Sequence, residues 1–354
     1  EAGARAMRAR LTRYLGERAY RVPIHTFHGF AGELIRGYPE AYPRIVGSEP
    51  LTELERTEFL TRILDAGRYP RLRPSRAPLR FIRDISSALQ TVKQEYISPD
   101  DLATAVADQW QDLAELPRYH ERGARAGTER ADYQTARKRL ERNEELVTLY
   151  REYTALLSSE RRYDFADMIV ETVHALTEND ELLRDVQERY QYVLADEHQD
   201  VNASQNRILE QLVAFHEQPN LFVVGDEKQA IYRFQGASLD NFLYFSDAFG
   251  EPVTIDLRNN YRSGQVILDA AQSLIATDDP QLAPLRVPLT AATPAGSSVV
   301  RHDFAHPALE EAWLVEAIEA AIAAGTAPRE IAVILRRNRD VDLFATRVRG
   351  AGSA

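Results

Sequence analysis

Tyr192-Val-Leu-Ala-Asp-Glu-His-Gln-Asp200 and, further along, Leu221-Phe-Val-Val-Gly-Asp-Glu-Lys-Gln229 each run from a short apolar stretch into an acidic turn. An apolar run of this length, bounded by a turn, reads as a buried strand. Helical spacing precedes the first strand at Phe165–Leu176, separates the two at Gln205–Phe215, and returns at Leu239–Phe245 before a further strand at Val253–Asp256. Short apolar strands alternating with helices predict an α/β fold with a parallel sheet and helices packed on its faces. In such sheets ligands gather at the carboxyl ends of the strands, where Asp196 and Glu197 stand.

The residue types at these turns suit phosphate chemistry. A first carboxylate can hold Mg²⁺ while a second orients or deprotonates the attacking water. Read alone, the same two acids are equally a polar turn that caps the next helix. Gln229 is an uncharged hydrogen-bonding group suited to sensing a terminal phosphate. Tyr232 and Phe234 are alternate aromatics that can stack on bases or simply fill a core. After the Val253–Asp256 strand comes Leu257-Arg-Asn-Asn-Tyr-Arg-Ser263. Its Tyr–Arg pair could stack on a purine and bring a guanidinium to a phosphate, or form only a polar helix start capped by Ser263.

Outward from this centre, residues 1–44 read as a helix, a strand at Val22–Thr26 and a second helix from about Gly29. From Ser48 to Ser159 the pattern is nearly all helical, broken at Pro70, Pro74, Pro78, Pro99, Pro117 and Gly123–Gly127, with no convincing strand. Beyond the core segment come a helix at Gly264–Ile275, a Pro- and Ala-rich connection, a strand at Ser298–Phe304, a helix at Leu309–Ala324, a strand at Ile331–Leu335 and one more helix.

The 354 residues carry 43 Lys+Arg against 54 Asp+Glu, a formal charge of −11, and 44% are hydrophobic, which excludes disorder as the main state. The charge is uneven. Residues 62–83 hold Arg62, Arg68, Arg71, Arg73, Arg76, Arg80 and Arg83 against Asp65, whereas acids dominate residues 195–256. The absence of cysteine removes disulfides, thiolate metal sites and thiol nucleophiles, and fits a reducing compartment such as the cytoplasm. No apolar run approaches the ~18 residues of a membrane span.

Together, in this order and spacing, the segments resemble the superfamily 1 DNA helicases of the UvrD/Rep/PcrA kind. Asp196-Glu-His-Gln-Asp200, with Asn202 and Gln205, resembles the family's Walker B motif. Val224–Ala237 is similar to its third motif and Asn260-Tyr-Arg-Ser263 to its fourth. Residues 1–10 resemble the helix after motif Ia, His25-Thr-Phe-His-Gly-Phe30 motif Ib, Tyr163–Met168 the segment that re-enters the first motor domain, and Ile331–Asn338 a strand of the second.

The resemblance implies a RecA-like parallel-sheet motor domain of the P-loop NTPase fold, a helical insertion and part of a second RecA-like domain. The boundaries expected are 1–47 with 160–250 for the first motor domain, 48–159 for the insertion and 251–354 for the start of the second. It implies ATP and Mg²⁺ as cofactors, and single-stranded DNA with single/double-strand junctions as partner. The activity implied is ATP-driven translocation, 3′→5′, with duplex unwinding in repair or recombination. On this resemblance Asp196 binds Mg²⁺, Glu197 is the catalytic carboxylate, Gln229 reads the γ-phosphate, Tyr261 packs on adenine and Arg262 stabilises the transferred phosphoryl group. Thr26, Phe27, His28, Tyr232 and Phe234 meet DNA, and the arginines of 62–83 face either phosphates or only water.

The sequence departs from the family pattern in places. His198 replaces an aromatic, Val201 a threonine and Gln235 an arginine. A phosphate loop needs Gly-x-x-x-x-Gly-Lys-Ser/Thr, and none of Lys93, Lys138 and Lys228 is preceded by Gly or followed by Ser or Thr. With Glu1 first, the expectation is a chain that starts just downstream of that loop and stops before the later motifs, with little ATPase activity by itself. Two other readings stay open: the helicase subunit of a RecB- or AddA-like helicase–nuclease, and a DNA-binding scaffold without a P-loop.

Overall fold

The computed structural model describes residues 2–67, 69–122, 126–215, 219–229, 248–249, 253–275, 287–293 and 299–351. The chain divides into two units, residues 1–254 and 255–354. Tyr232, Phe234, Gln235 and the expected helix at Leu239–Phe245 lie outside the described residues.

The first unit opens with α1 (Ala2–Leu15), a short 3-10 turn and α2 (Phe27–Gly37). The strand expected at Val22–Thr26 is not formed. Pro23 takes an N–H out of the middle of that run, no described strand lies beside it, and Thr26 instead caps α2 by accepting the Gly29 N–H at 3.0 Å. A two-residue strand β1 (Glu49–Pro50) leads into α3 (Glu53–Asp65), α4 (Ile82–Gln94), α5 (Pro99–Glu115) and α6 (Ala131–Ser159), after which β2 (Arg162–Tyr163) returns parallel to β1. The chain therefore leaves and re-enters side by side. β1 corrects the expectation of no strand in this region: a ladder that short has no periodicity to read.

The remaining elements of this unit are α7 (Phe165–Glu178), α8 (Asp180–Arg189), β3 (Val193–Ala195), α9 (Ala203–Val213) and β4 (Leu221–Val223). Strands β3 and β4 pair in parallel, Val193 opposite Leu221 and Ala195 opposite Val223. Several helix starts carry reciprocal caps that satisfy their orphan N–H groups: Thr52 with Glu55, Ser98 with Asp101, Asp164 with Asp167 and Asn202 with Gln205.

Two apolar cores result. One gathers Phe30 and Leu34 of α2, Ile169, Val173 and Leu176 of α7, and Ile208 and Leu212 of α9, with Val193 and Leu221 of the sheet packed against it. The other holds Leu60 and Leu64 of α3, Leu89 of α4, and Leu149, Tyr153 and Leu157 of α6. Where they meet, Lys93 near the end of α4 is buried and bonds Asp164 Oδ2 at 2.6 Å and Asp167 Oδ1 at 2.7 Å, in the cap of α7.

The second unit contains β5 (Asn259–Asn260) parallel to β6 (Thr290–Ala291), then α10 (Gln265–Ile275), α11 (Pro307–Ala323) and α12 (Asn338–Ala351). The strands expected at Val253–Asp256, Ser298–Phe304 and Ile331–Leu335 form no ladder among the described residues, and Val253 and Ile334 are more than nine-tenths exposed. A strand exists only by its neighbours' hydrogen bonds. No described helix is long and apolar enough to cross a membrane.

Candidate active site

Parallel pairing brings the turns after β3 and β4 to one edge. The ladder is prolonged by Val224 N–H donating to Ala195 O and His198 N–H donating to Val224 O, both at 2.9 Å. Asp196 and Glu197 emerge there exposed. Glu197 holds a left-handed backbone, φ 52° and ψ 42°, a conformation that costs a non-glycine residue about 1–2 kcal/mol. Local bonds keep it: Glu197 N–H donates to Asp196 Oδ1 at 3.1 Å, and Asp200 N–H donates to Glu197 O at 2.9 Å. Asp200's carboxyl is pushed up by partial burial and by the charge of Glu197.

Below this edge the side chains are buried. His198 is only 1% exposed. Its Nε2 lies 3.0 Å from Asn206 Oδ1, and burial lowers its pKa, partly offset by that contact. Val201 is buried as well. Both departures from the family pattern are thus absorbed by packing. Gln199, also buried, donates through Nε2 to Glu197 Oε2 at 2.6 Å and accepts the Asp226 N–H on Oε1 at 3.0 Å. Asp226 in turn accepts from Lys228 N–H on Oδ1 and from Gln229 Nε2 on Oδ2, each at 3.0 Å. The Glu197 and Gln229 side chains are thereby joined through Gln199 and Asp226. Gln199 was not singled out from the sequence, since its two partners lie on opposite sides of it and one is 27 residues away.

Asp196 suits Mg²⁺ by its chemistry: an exposed hard oxygen ligand at a strand's carboxyl end. Among the described residues no group of three or more His, Asp or Glu is arranged to hold a metal by itself.

In the second unit Asn260 Oδ1 accepts the Arg262 N–H at 2.9 Å and the Ser263 N–H at 2.8 Å. This side-chain turn leaves Tyr261 75% exposed and Arg262 exposed. Asn260, rather than Ser263, organises the approach to α10.

The residues expected to meet DNA start α2. Thr26 is exposed but its hydroxyl is engaged in the cap, and Phe27 packs partly against the first core. His28 stacks on Phe165 at 4.0 Å between centroids and 17° between planes, with Nε2 3.1 Å from Phe165 O. Burial lowers the His28 pKa, with the backbone bond acting the other way. Phe165 is 59% exposed, so it presents the aromatic surface at this place. Its position in α7, one turn before buried Ile169, reads from sequence as core.

The Arg-rich stretch is partly neutralised: Arg62 pairs with Glu160, Arg71 with Glu141 and Arg73 with Asp65. The Arg80 and Arg142 guanidinium groups lie 5.3 and 5.2 Å from the Phe81 centroid.

Residues 1–250 match the family model of the UvrD/REP helicase N-terminal domain, and residues 255–352 that of the UvrD-like helicase C-terminal domain. The ATP-dependent DNA helicase UvrD2 of Mycobacterium tuberculosis H37Rv is 27% identical over 280 residues, covering 77% of this chain and 35% of that protein. The ATP-dependent DNA helicase PcrA of Staphylococcus epidermidis ATCC 12228 and that of Staphylococcus aureus NCTC 8325 are each 28% identical over 273 residues, 77% of this chain and 32% of theirs. The chain spans about a third of the length of these relatives.

Proposed function

Because the chain belongs to the UvrD/REP helicase family, we propose that it carries the hydrolytic centre of an ATP-dependent DNA helicase. The observation that supports this best is the pair of exposed acids, Asp196 and Glu197, set beside the Gly225–Gln229 turn by the pairing of β3 with β4.

In this reading Asp196 holds Mg²⁺, which neutralises charge on the nucleotide's phosphates. Glu197 orients the attacking water and accepts its proton, and Gln229 reads the terminal phosphate. In the second unit Tyr261 offers a face to the adenine and Arg262 a guanidinium to the transferred group. Thr26, Phe27 and His28 with Phe165 contact single-stranded DNA, and Tyr232 and Phe234 hold its bases. The segment between β1 and β2 corresponds to the family's helical insertion, with residues 1–47 and 160–250 as the first motor domain and 251–354 belonging to the second. Movement is 3′→5′, with unwinding at single/double-strand junctions in repair or recombination, in the cytoplasm.

Residues 1–354 contain no phosphate-loop lysine, so the purified chain is expected to hydrolyse little ATP. Appreciable DNA-stimulated turnover by it would contradict this. In an extended chain that also carries a phosphate loop, Glu197→Gln abolishes hydrolysis and spares nucleotide binding. Unchanged turnover there removes Glu197 from its role.

A further inference from the structure

Gln199 has an environment that hardly any other side chain could satisfy. It is 2% exposed, and its amide lies between a group that only accepts and a group that only donates. The Glu197 carboxylate takes a hydrogen bond from Nε2 at 2.6 Å, and the Asp226 backbone gives one to Oε1 at 3.0 Å. The two neighbours therefore dictate which end of the amide is nitrogen and which is oxygen. Glutamate at this place would keep the acceptor and lose the donor. Leucine would lose both, and asparagine is one methylene too short to span the same gap.

The far side of this link is equally ordered. Asp226, whose N–H is held by Gln199, uses its carboxylate to accept from Lys228 N–H and Gln229 Nε2, while Gln229 N–H donates to Asp226 O at 2.9 Å. One buried amide thus stands between the acid at the end of β3 and the glutamine beyond β4. The acid needs such support, because its backbone sits in the left-handed region at φ 52° and its side chain projects into solvent. An exposed carboxylate on a flexible stem would otherwise sample several rotamers, whereas a charge-assisted bond from a buried donor selects one.

We propose that Gln199 is a positioning residue that fixes the Glu197 carboxylate and couples its orientation to the Asp226–Gln229 turn. The inference rests on the reading of Glu197 as the carboxylate of hydrolysis. When Gln229 and Asp226 are drawn toward a bound phosphate, the Asp226 N–H moves with them. The amide that follows it adjusts Glu197.

The link has a readout that needs no nucleotide. In residues 1–354, the Asp226 amide hydrogen should be protected from exchange. Gln199→Leu should speed its exchange by about tenfold, the loss of one buried hydrogen bond, while Gln199→Glu should retain most of the protection. In an extended chain with a phosphate loop, both variants should lower kcat by about tenfold or more and change the affinity for a non-hydrolysable ATP analogue less than about threefold. A purely structural role would not lower kcat while sparing the affinity for the analogue.

Unchanged Asp226 exchange in Gln199→Leu would overturn the link. Faster exchange with unchanged kcat would overturn the coupling and leave Glu197's role intact, provided Glu197→Gln is inactive. Turnover persisting in Glu197→Gln would instead remove the reading beneath the proposal, whatever the exchange at Asp226.

Discussion

Replacing Lys93 by methionine should cost the first unit about 3–5 kcal/mol, the range for deleting one partner of a buried ion pair. Lys93 is 3% exposed and bonds both Asp164, 1% exposed, and Asp167, 3% exposed. Its ammonium also lies 5.1 Å from the Tyr153 ring, and the Tyr153 hydroxyl donates to Asp164 Oδ2 at 3.3 Å. Methionine keeps most of the aliphatic stem and so leaves little cavity. What it removes is the ammonium that faces two carboxylates, which stay buried. In the native protein burial pushes the Asp164 carboxyl up, but Lys93 and its hydrogen bonds outweigh that and hold it below the usual range. Asp167 is raised, because there burial wins over Lys93.

The pH dependence follows from these directions. Stability from Asp164 is present above its unfolded pKa of about 3.9 and fades as pH falls through its depressed folded value. Asp167 opposes it, since its penalty grows as pH rises through its raised folded value. Without Lys93 both carboxylates are penalised when ionised, so the gap between variant and native protein should be widest near pH 7 and narrow in acid. Urea unfolding followed by circular dichroism at pH 7 and pH 4 measures both quantities, provided the slope with urea is unchanged. A loss below about 1 kcal/mol at pH 7, or a gap that does not narrow in acid, would refute the reasoning. Adding Asp164→Asn and Asp167→Asn to Lys93→Met should recover at least half the loss, because the two carboxylates that lost their ammonium are then neutral and asparagine still caps α7.

Phe165→Ala should weaken single-stranded oligonucleotide binding by about 1–3 kcal/mol, the worth of one base-stacking ring, when titrated by fluorescence anisotropy with residues 1–354. Unchanged affinity would exclude the His28–Phe165 pair as a stacking surface. Both His28 and His198 have folded pKa values lowered by burial, so the unfolded chain binds protons first and stability should fall as pH drops below about 6.5. His198→Phe should flatten part of that fall between pH 7.5 and 5 in urea midpoints; an unaltered slope would mean that His198 takes up its proton alike in the folded and the unfolded chain.

Much of the site was legible in the chain because its signals are local. The apolar runs at Tyr192–Ala195 and Leu221–Val224 each lead into an acidic turn, and strands β3 and β4 form there in parallel. The helices of the segment between β1 and β2 were legible for the same reason, with prolines and capping residues at their ends. Strand pairing was less legible, because it depends on what lies alongside. Val22–Thr26 has the residues of a strand but carries Pro23 and has no described strand beside it, and Val253–Asp256 forms no ladder among the described residues.

By itself, then, the sequence determined the motif order, the α/β alternation, the identity of the acids at the candidate site and the lack of a phosphate-loop lysine, all properties of contiguous residues. Only the tertiary structure decided that Gln199 bridges Glu197 to Asp226, that Lys93 is buried between Asp164 and Asp167, and that Phe165 rather than Phe27 shows its ring to solvent. Each of these depends on groups brought together from distant positions. A side chain's burial and partners belong to the space around it, and local periodicity carries no record of that space.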